Sequence, residues 1–261
     1  MKLTDIRCFL LDMDGTFYLG ENLLEGSLDF IKTLQNTGRD FLFLTNNSSH
    51  NADFYVKRLA RMGLTVDKNK ILTSGQATAL LVREQFAGKK AFVLGNDDLK
   101  AELAEYGVLQ DQTHPDYIIV GFDTTLDYAK MTAVCDFARA GLPMVATHPD
   151  FNCPTETGFI PDIGAILAFI KASTGRDPDL VVGKPNRGIV DAALLRTGLP
   201  IEQLAMVGDR LYTDIATGVN HGMASILVMT GETTAEMRDA SPIKAAFVYE
   251  RLSSMIPELE G

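Results

Sequence analysis

Residues 9–16 are Phe9–Leu10–Leu11–Asp12–Met13–Asp14–Gly15–Thr16, three apolar residues that end at two aspartates and a Gly-Thr pair. An apolar run bounded by a turn signal predicts a short buried strand. The two carboxylates would then follow the carboxyl end of that strand, where open α/β sheets bind their ligands. Aspartate also forms turns by accepting hydrogen bonds from nearby backbone groups. This stretch alone therefore leaves a ligand site and a simple turn equally open.

The composition is that of an acidic chain with enough apolar residues for a large core. The 261 residues are 46% hydrophobic, which is sufficient for one large domain or two. The net charge of −10 argues against a nucleic-acid partner, because binding nucleic acid requires basic surface. The three cysteines are odd in number and widely spaced, as expected in a reducing compartment. No targeting segment or membrane-span pattern is recognisable, so we expect a soluble, cytoplasmic protein with no membrane partner.

Strand and helix patterns alternate along most of the chain. The predicted strands after the first include Phe41–Leu44, Ala91–Leu94, Tyr117–Val120, Pro143–Ala146, Leu204–Gly208 and Ser225–Val228. Helical patterns separate these strands, and this order predicts an α/β fold with parallel sheets. Residues 147–161 carry several prolines and predict an irregular, functional loop. No Ser/Gly-rich linker marks a boundary, so we expect any second domain to be inserted into the first.

Polar residues follow four of the predicted strands. They are Asp12 and Asp14, Thr45 and Asn46, Lys184, and Asp209 with Asp214. The carboxyl ends of parallel strands lie along one edge of a sheet, so these residues are expected to converge. Carboxylates gathered beside a lysine predict a site for a hard divalent cation, and Mg²⁺ suits such oxygen ligands best.

Each of these residues also has a purely structural interpretation. Asp209 and Asp214 would suit the N-cap and first turn of a helix. Thr45 would suit a cap or a turn, and an isolated lysine such as Lys184 is normally solvated. The four histidines, at positions 50, 114, 148 and 221, are predicted to be surface residues. The joint pattern of the strand ends, rather than any single residue, favours a site.

The order and spacing of four segments resemble the motifs of the haloacid dehalogenase superfamily of phosphatases. The segments are Asp12–Thr16, Thr45–Asn47, Gly183–Asn186 and Gly208–Asp214. The middle of the chain resembles the NagD-like branch, which includes phosphatases of the p-nitrophenyl-phosphatase type. The resemblance covers the whole length and implies a Rossmann-like parallel-sheet core built from residues 1–71 and 180–261. A smaller α/β cap domain, which sets substrate specificity, would be inserted at residues 72–179.

The resemblance also implies a reaction and two catalytic residues. Asp12 would attack phosphorus and form an aspartyl phosphate, which divides one difficult step into two easier ones. Asp14 would protonate the leaving oxygen and then activate the water that hydrolyses the intermediate. A carboxylate and a phosphate oxygen about 4 Å apart repel by roughly 4 kcal/mol at an effective dielectric constant near 20, so cations are needed at the site.

The implied binding groups complete this expectation. Thr45, the backbone of Asn46, and Lys184 would bind the phosphate. Mg²⁺ would be held by the Asp12 side chain, the Asp14 backbone carbonyl and Asp209, with Asp214 supporting Lys184 or a metal-bound water. The expected partners are small phosphorylated metabolites such as sugar phosphates and nucleoside monophosphates. Apolar surface on the cap would allow a homodimer.

The cap loop departs from the pattern of many NagD-like proteins. Those proteins carry Ala-Thr-Asn-Pro-Asp where this chain has Ala146–Thr147–His148–Pro149–Asp150. The loop Thr147–Pro154, which includes Cys153, is a candidate for contacting the leaving group, and the alternative is that Thr147 and Asp150 only order a turn.

Two other function classes are open to this sequence: a phosphoaspartate switch of the receiver type and a non-catalytic metabolite-binding protein. Receiver domains are only about half this length, and a switch has no use for Asp14.

Overall fold

The strand predicted at residues 9–11 is present and buried. In the computed structural model, which describes residues 2–155 and 158–261, β1 spans Cys8–Leu11 and all four side chains are buried. Phe9 packs edge-on against Phe30 with ring centroids 5.7 Å apart. Burying a Leu or Phe side chain contributes about 1.5–3 kcal/mol, so this strand is a main source of core stability.

The described residues form fifteen strands and ten α-helices. The strands are β1 (Cys8–Leu11), β2 (Tyr18–Leu19), β3 (Asn22–Leu23), β4 (Asp40–Thr45), β5 (Ile71–Thr73), β6 (Lys90–Leu94), β7 (Leu109–Gln110), β8 (Tyr117–Val120), β9 (Met144–Ala146), β10 (Asn152–Thr155), β11 (Gly158–Pro161), β12 (Leu180–Val181), β13 (Leu204–Gly208), β14 (Ala224–Val228) and β15 (Phe247–Tyr249). The helices are α1 (Ser27–Asn36), α2 (Ala52–Arg61), α3 (Ser74–Gln85), α4 (Asp97–Glu105), α5 (Tyr128–Arg139), α6 (Ile163–Thr174), α7 (Arg187–Thr197), α8 (Ala216–His221), α9 (Ala235–Ala240) and α10 (Ile256–Glu260). A π-helical turn at Leu211–Ile215 precedes α8.

The first sheet has six strands in the order β15-β14-β13-β1-β4-β5. β1 is parallel to both of its neighbours, and Leu11 pairs with Val207 on one side and with Phe43 on the other. This register places Asp12, Thr45 and Asp209 at the same edge of the sheet. The predicted α/β class with a parallel-sheet core is therefore confirmed.

The second sheet has five strands in the order β12-β9-β8-β6-β7, and its paired strands are parallel. Its buried side chains form a core of their own with helices α5 and α6. That core includes Phe92, Ile118, Val120, Val134, Met144, Ile166 and Ile170. The strand before Lys184, β12, pairs with β9 and thus belongs to this second sheet.

Several helices begin at residues whose side chains cap the first turn. Thr73 accepts a hydrogen bond from the backbone of Gln76 at the start of α3. Asn96 and Asp127 do the same for α4 and α5. Such caps satisfy backbone donors that have no partner within the helix, and each stabilises a helix by about 1 kcal/mol.

The described chain divides into two compact units. Unit 1 comprises Met1–Thr45, Tyr55–Leu72 and Ala193–Gly261, and unit 2 comprises Asn46–Phe54 and Thr73–Ala192. Among the described helices, none combines the length and the apolar content that crossing a membrane requires.

The segment 147–161 is more regular than predicted. It contains an antiparallel hairpin in which β10 pairs with β11, and Cys153 lies opposite Ile160. Residues 156 and 157 of this segment lie outside the described residues. Prolines are compatible with strands whose edges face solvent, because no neighbouring strand needs their missing N–H. The prolines of this segment therefore did not exclude strand structure.

Candidate active site

The residues after β1 and β13 lie side by side in unit 1. The Asp12 N–H donates to the carbonyl oxygen of Val207 at 2.9 Å, which extends the pairing of these two strands by one residue. Asp209 follows β13 directly and is 2% exposed. The parallel register therefore brings Asp12 and Asp209 together although they are far apart in sequence.

Three carboxylates form a cluster at this edge. Asp12, Asp209 and Asp214 each offer one oxygen, and these oxygens all lie within 4.8 Å of one another. Burial, and then the negative charge of Asp12, raise the pKa of Asp209 above its ordinary value. Like charges gathered out of water need a cation to offset their repulsion. The all-oxygen donor set fits a hard divalent cation, which would be held by these aspartates.

The Asp209 side chain is held by neighbours on two other segments. The Thr16 hydroxyl donates to Oδ1 at 3.2 Å, and the backbone N–H of Glu232 donates to Oδ2 at 2.6 Å. The Thr233 hydroxyl donates to the Asp209 backbone carbonyl. Hydrogen bonds of this kind orient a carboxylate before a metal binds.

Two glycines allow the close approach of these segments. A Cβ on Gly231 would lie 2.0 Å from Asp209 Oδ2, and one on Gly15 would lie 2.6 Å from the same oxygen. Gly15 also has φ of +83°, a conformation that L side chains rarely adopt. Glycine is therefore required at both positions for Asp209 to occupy this place.

The segment Thr230–Thr233 was not identified from the sequence. It follows β14, the neighbour of β13 in the sheet, and the Thr230 hydroxyl donates to the Gly15 carbonyl at 2.6 Å. A detectable signal was present, since a Gly flanked by hydroxyl and carboxyl residues follows the predicted strand Ser225–Val228. Polar residues that directly follow a predicted strand marked the other candidate positions, and the same rule would have included Thr230–Thr233.

Asp14 lies two residues after Asp12 and is influenced by the charges of Arg58, Asp12, Arg210 and Asp209. Burial raises the pKa of Asp14 to about 6, although the Arg58 guanidinium opposes this shift. Asp14 and Tyr18 pair in a single β-bridge, and Arg58 lies over the Tyr18 ring at 4.5 Å from its centroid. A carboxyl with a raised pKa can carry a proton near neutral pH, as a general acid must.

Arg210 adds a positive charge to the cluster. Its backbone N–H donates to Asp214 Oδ2 at 3.1 Å, and its Nε lies 3.1 Å from a carboxylate oxygen of Glu232. Burial alone would lower the pKa of Arg210, but Asp12, Asp209 and Asp214 outweigh burial and raise the pKa. Arg210 lies within the Gly208–Asp214 segment, and the sequence pattern predicted no role for it.

The remaining predicted residues divide between the two units. Thr45 is the last residue of β4 in unit 1 and is buried. Asn46 and Lys184 belong to unit 2, where the Asn46 side chain contacts the Lys184 backbone. Lys184 is 2% exposed, so its interpretation as a solvated surface lysine is wrong. The expectation that all four strand ends share one sheet edge is also wrong, because β12 belongs to the five-stranded sheet.

His148 is not the surface residue that the sequence predicted. It is fully buried, and its Nε2 lies 3.0 Å from Asp162 Oδ1. On its other side, Nδ1 lies 3.1 Å from the Thr147 hydroxyl. His148, Asp150 and Asp162 also bring their ligand atoms within 4.8 Å of one another. Both ring nitrogens of His148 already have protein partners. This group therefore differs from the Asp12 cluster, which consists of three carboxylates.

Comparison with known proteins identifies relatives along nearly the whole chain. Residues 9–109 match a family described as haloacid dehalogenase-like hydrolase, and residues 181–255 match one described as HAD-hydrolase-like. An acid sugar phosphatase of Staphylococcus aureus (strain MRSA252) is 35% identical over 255 residues, 97% of this chain and 98% of its own.

Solved structures with the same fold include two of particular interest. The 4-nitrophenylphosphatase of Thermotoga maritima superposes with a TM-score of 0.95 at 46% identity, covering 98% of each chain. NagD of E. coli K-12 superposes with a TM-score of 0.88 at 32% identity, covering 97% of this chain and 98% of that one.

Proposed function

The chain belongs to the haloacid dehalogenase-like hydrolases, in the NagD-like branch, and from this membership we propose that it hydrolyses small phosphomonoesters through an aspartyl phosphate on Asp12. The observation that carries the proposal is the group of Asp12, Asp209 and Asp214 at the carboxyl edge of the six-stranded sheet. Sugar phosphates, nucleoside monophosphates and p-nitrophenyl phosphate are the proposed substrates. The relatives named acid sugar phosphatase and 4-nitrophenylphosphatase support this choice.

In the first step, an Asp12 carboxylate oxygen attacks phosphorus and the bond from phosphorus to the ester oxygen breaks. The leaving oxygen takes the proton of Asp14 and departs as an alcohol. In the second step, a water attacks the phosphorus of the aspartyl phosphate while Asp14 accepts its proton. The bond from phosphorus to Asp12 then breaks, which releases inorganic phosphate and restores both carboxyl groups.

Asp14 suits this double role because it must carry a proton in one step and lose it in the other. A pKa raised to about 6 by burial keeps both forms accessible near neutral pH. The proposed phosphate ligands are the Thr45 hydroxyl, the Asn46 backbone N–H and the Lys184 ammonium. Their positive or donor character offsets the repulsion between the phosphate and the attacking carboxylate.

The proposed cofactor is Mg²⁺, held by the Asp12 side chain, the Asp14 backbone carbonyl and Asp209, with Asp214 beside them. When bound, it would neutralise negative charge on the phosphate and on the Asp12 carboxylate. The chain supplies the orientation, since Thr16 and the Glu232 backbone hold Asp209 in place. We further propose that residues 72–179 act as the specificity cap.

The direct test is hydrolysis of p-nitrophenyl phosphate by the purified full-length chain, with and without EDTA. We expect turnover that stops in chelator and returns with added Mg²⁺, and Asp12→Asn should remove it while the fold persists. Many turnovers per chain would exclude the receiver-type switch, which stops after one phosphorylation. Absence of turnover with every phosphomonoester tried would favour the non-catalytic alternative, which the phosphatase relatives do not favour.

A further inference from the structure

The Asn46 side chain bonds both backbone groups of Lys184. Its Oδ1 accepts from the Lys184 N–H at 2.8 Å, and its Nδ2 donates to the Lys184 carbonyl oxygen at 3.0 Å. A carboxamide that pairs in this way replaces the partner that a neighbouring strand would supply. Asn46 is 7% exposed and Lys184 is 2% exposed, so water competes little for these bonds. A single side chain thereby fixes the backbone from which the Lys184 ammonium extends.

Asp150 adds a third contact that requires the same orientation of that carboxamide. Its Oδ2 accepts a hydrogen bond from Asn46 Nδ2 at 3.1 Å, in addition to the bond that Nδ2 makes to Lys184. If the carboxamide were reversed, its oxygen would face both the Asp150 carboxylate and the Lys184 carbonyl. Its amide would then face the Lys184 N–H, and three favourable contacts would become repulsive. Asp150 therefore stabilises the orientation in which Asn46 holds Lys184, and adds to the preference set by the two Lys184 backbone groups.

The loop that carries Asp150 is anchored by its contacts with the start of α6. The Gly164 N–H donates to the Asp150 carbonyl oxygen at 2.7 Å. A Cβ on Gly164 would lie 2.7 Å from the Pro149 carbonyl oxygen and 2.9 Å from that of Asp150, so only glycine allows this approach. The His148 ring contacts Asp162, the residue that caps α6. Asp150 is thus placed by the fold of unit 2.

Gly183 belongs to the same arrangement. A Cβ at this position would lie 2.7 Å from Asn46 Oδ1 and 2.7 Å from the Thr147 carbonyl oxygen. The Gly183 N–H donates to that same Thr147 oxygen at 2.7 Å. The chain before Lys184 therefore packs tightly between Asn46 and the loop that follows β9.

We propose that the Asn46 carboxamide and the Asp150 carboxylate are positioning residues for Lys184, and that Asp150 acts through Asn46. The proposal rests on the proposed function, in which the Lys184 ammonium binds the phosphate. It gives the loop from Thr147 to Asp150 a task other than contacting the leaving group, because the loop supports a phosphate-binding residue. Every substrate should then depend on it to the same degree.

The first experiment compares Asp150→Ala, Asp150→Asn and the control Asp177→Asn in the full-length chain. Asp177 is an exposed carboxylate of the same unit, paired with Lys171. The rates of hydrolysis of p-nitrophenyl phosphate and ribose 5-phosphate are measured for each. We expect Asp150→Ala to lower kcat/KM by roughly 10- to 100-fold for both substrates alike, because misplaced binding groups cost that much. Asp150→Asn keeps an oxygen that accepts from Asn46 and should recover most of this loss, while Asp177→Asn should equal the wild type.

An unchanged rate in Asp150→Ala, or a loss confined to one substrate, would overturn the positioning role. If Asp150→Ala fails to fold, Asn46→Asp provides the second variant, since it keeps the side-chain shape but turns carboxylate oxygen toward the Lys184 carbonyl. A folded Asn46→Asp chain, verified by circular dichroism, with wild-type kcat/KM would also overturn the proposal.

A double mutant separates this inference from the proposed function. In a Lys184→Met background, Asp150→Ala should cost less than about twofold further, because residues that act through one another are not additive. Loss in Lys184→Met together with a fully additive effect of Asp150→Ala would overturn the positioning role alone. Wild-type activity in Lys184→Met would instead contradict the proposed phosphate-binding role of Lys184.

Discussion

The backbone N–H of Glu232 donates a 2.6 Å hydrogen bond to Asp209 Oδ2, and so joins the segment after β14 to the acidic residue after β13. The opposite oxygen of the same carboxylate accepts from Thr16, which follows β1. Three neighbouring strands of one sheet thus contribute to the placement of a single side chain. Asp209, a proposed metal ligand, is therefore held in position by hydrogen bonds to both of its carboxylate oxygens.

Thr16→Val should weaken Mg²⁺ binding by about tenfold or more, because it removes the hydroxyl that orients Asp209 while keeping the side-chain shape. Thr16 is fully buried, so a water molecule from bulk solvent does not readily replace the lost hydroxyl. The measurement is Mg²⁺ affinity by isothermal titration calorimetry, together with the Mg²⁺ concentration that gives half-maximal activity.

The matched control is Thr197→Val, which removes a hydroxyl that donates to the helix carbonyl of Ala193 at 2.9 Å and accepts from the Leu199 N–H at 3.4 Å. It should leave Mg²⁺ affinity unchanged. Equal affinities for Thr16→Val and the wild type would show that the Thr16 bond does not prepare Asp209 for the metal.

Asp14→Asn should affect substrates unequally. The poor leaving group of a sugar phosphate needs a proton, whereas p-nitrophenolate leaves readily without one. We therefore expect phosphorylation of Asp12 by p-nitrophenyl phosphate to persist in Asp14→Asn, while hydrolysis of ribose 5-phosphate falls at least about 100-fold. Because Asp14 also activates the water, the variant should release one burst of p-nitrophenol and then stall. Rapid-quench kinetics would detect the burst, and equal losses on both substrates without a burst would argue against Asp14 as the general acid.

The ion pair of Asp123 and Lys130 should make stability depend on pH. Burial opposes ionisation of Asp123, but hydrogen bonds from Lys130 and Thr125 outweigh it and lower the pKa. A lowered pKa in the folded state means that the stabilisation is present above the unfolded pKa of about 3.9. It is lost as the pH falls through the folded pKa. Asp123→Asn should therefore cost about 1–2 kcal/mol near pH 7 and progressively less below about pH 4.

Urea unfolding between pH 3 and pH 7 measures this difference. Asp177→Asn serves as the control, because both members of its pair with Lys171 are exposed and such pairs contribute at most about 1 kcal/mol. A penalty for Asp123→Asn that stays constant over the whole range would contradict the assignment.

Glu102 should be a major contributor to the stability of unit 2. It is 2% exposed and accepts hydrogen bonds from the Thr73 hydroxyl at 2.6 Å, the Ala52 N–H at 3.0 Å and the Gln76 amide at 3.1 Å. Glu102→Ala leaves these donors without their acceptor and should cost about 3 kcal/mol or more. Glu102→Gln keeps the volume but turns an amide toward at least one donor, so it should cost about 1–2 kcal/mol. Chemical denaturation would test this order, and a neutral Glu102→Ala would refute the role.

Local patterns predicted much of the fold because burial and turns are encoded by neighbouring residues. The apolar run that ends at Asp12 indicated a buried strand, and the similar run that ends at Gly208 indicated another. The alternation of strands and helices predicted parallel sheets, and the two observed sheets bear this out. The sequence also identified Asp12 and Asp209 as strand-end carboxylates, since each directly follows such a run.

Other features depend on which strands pair, and neighbouring residues do not encode pairing. The apolar residues Leu180 and Val181 are compatible with a strand in either sheet. Only their pairing with Met144–Ala146 shows that the strand before Lys184 belongs to the five-stranded sheet. The sequence predicts His148 to be a surface residue. The structure shows that it contacts Asp162, fourteen positions later in the chain. The sequence by itself thus determined the element types and the residues at the strand ends. The tertiary structure alone decided their partners, because contacts between distant residues depend on how buried surfaces pack together.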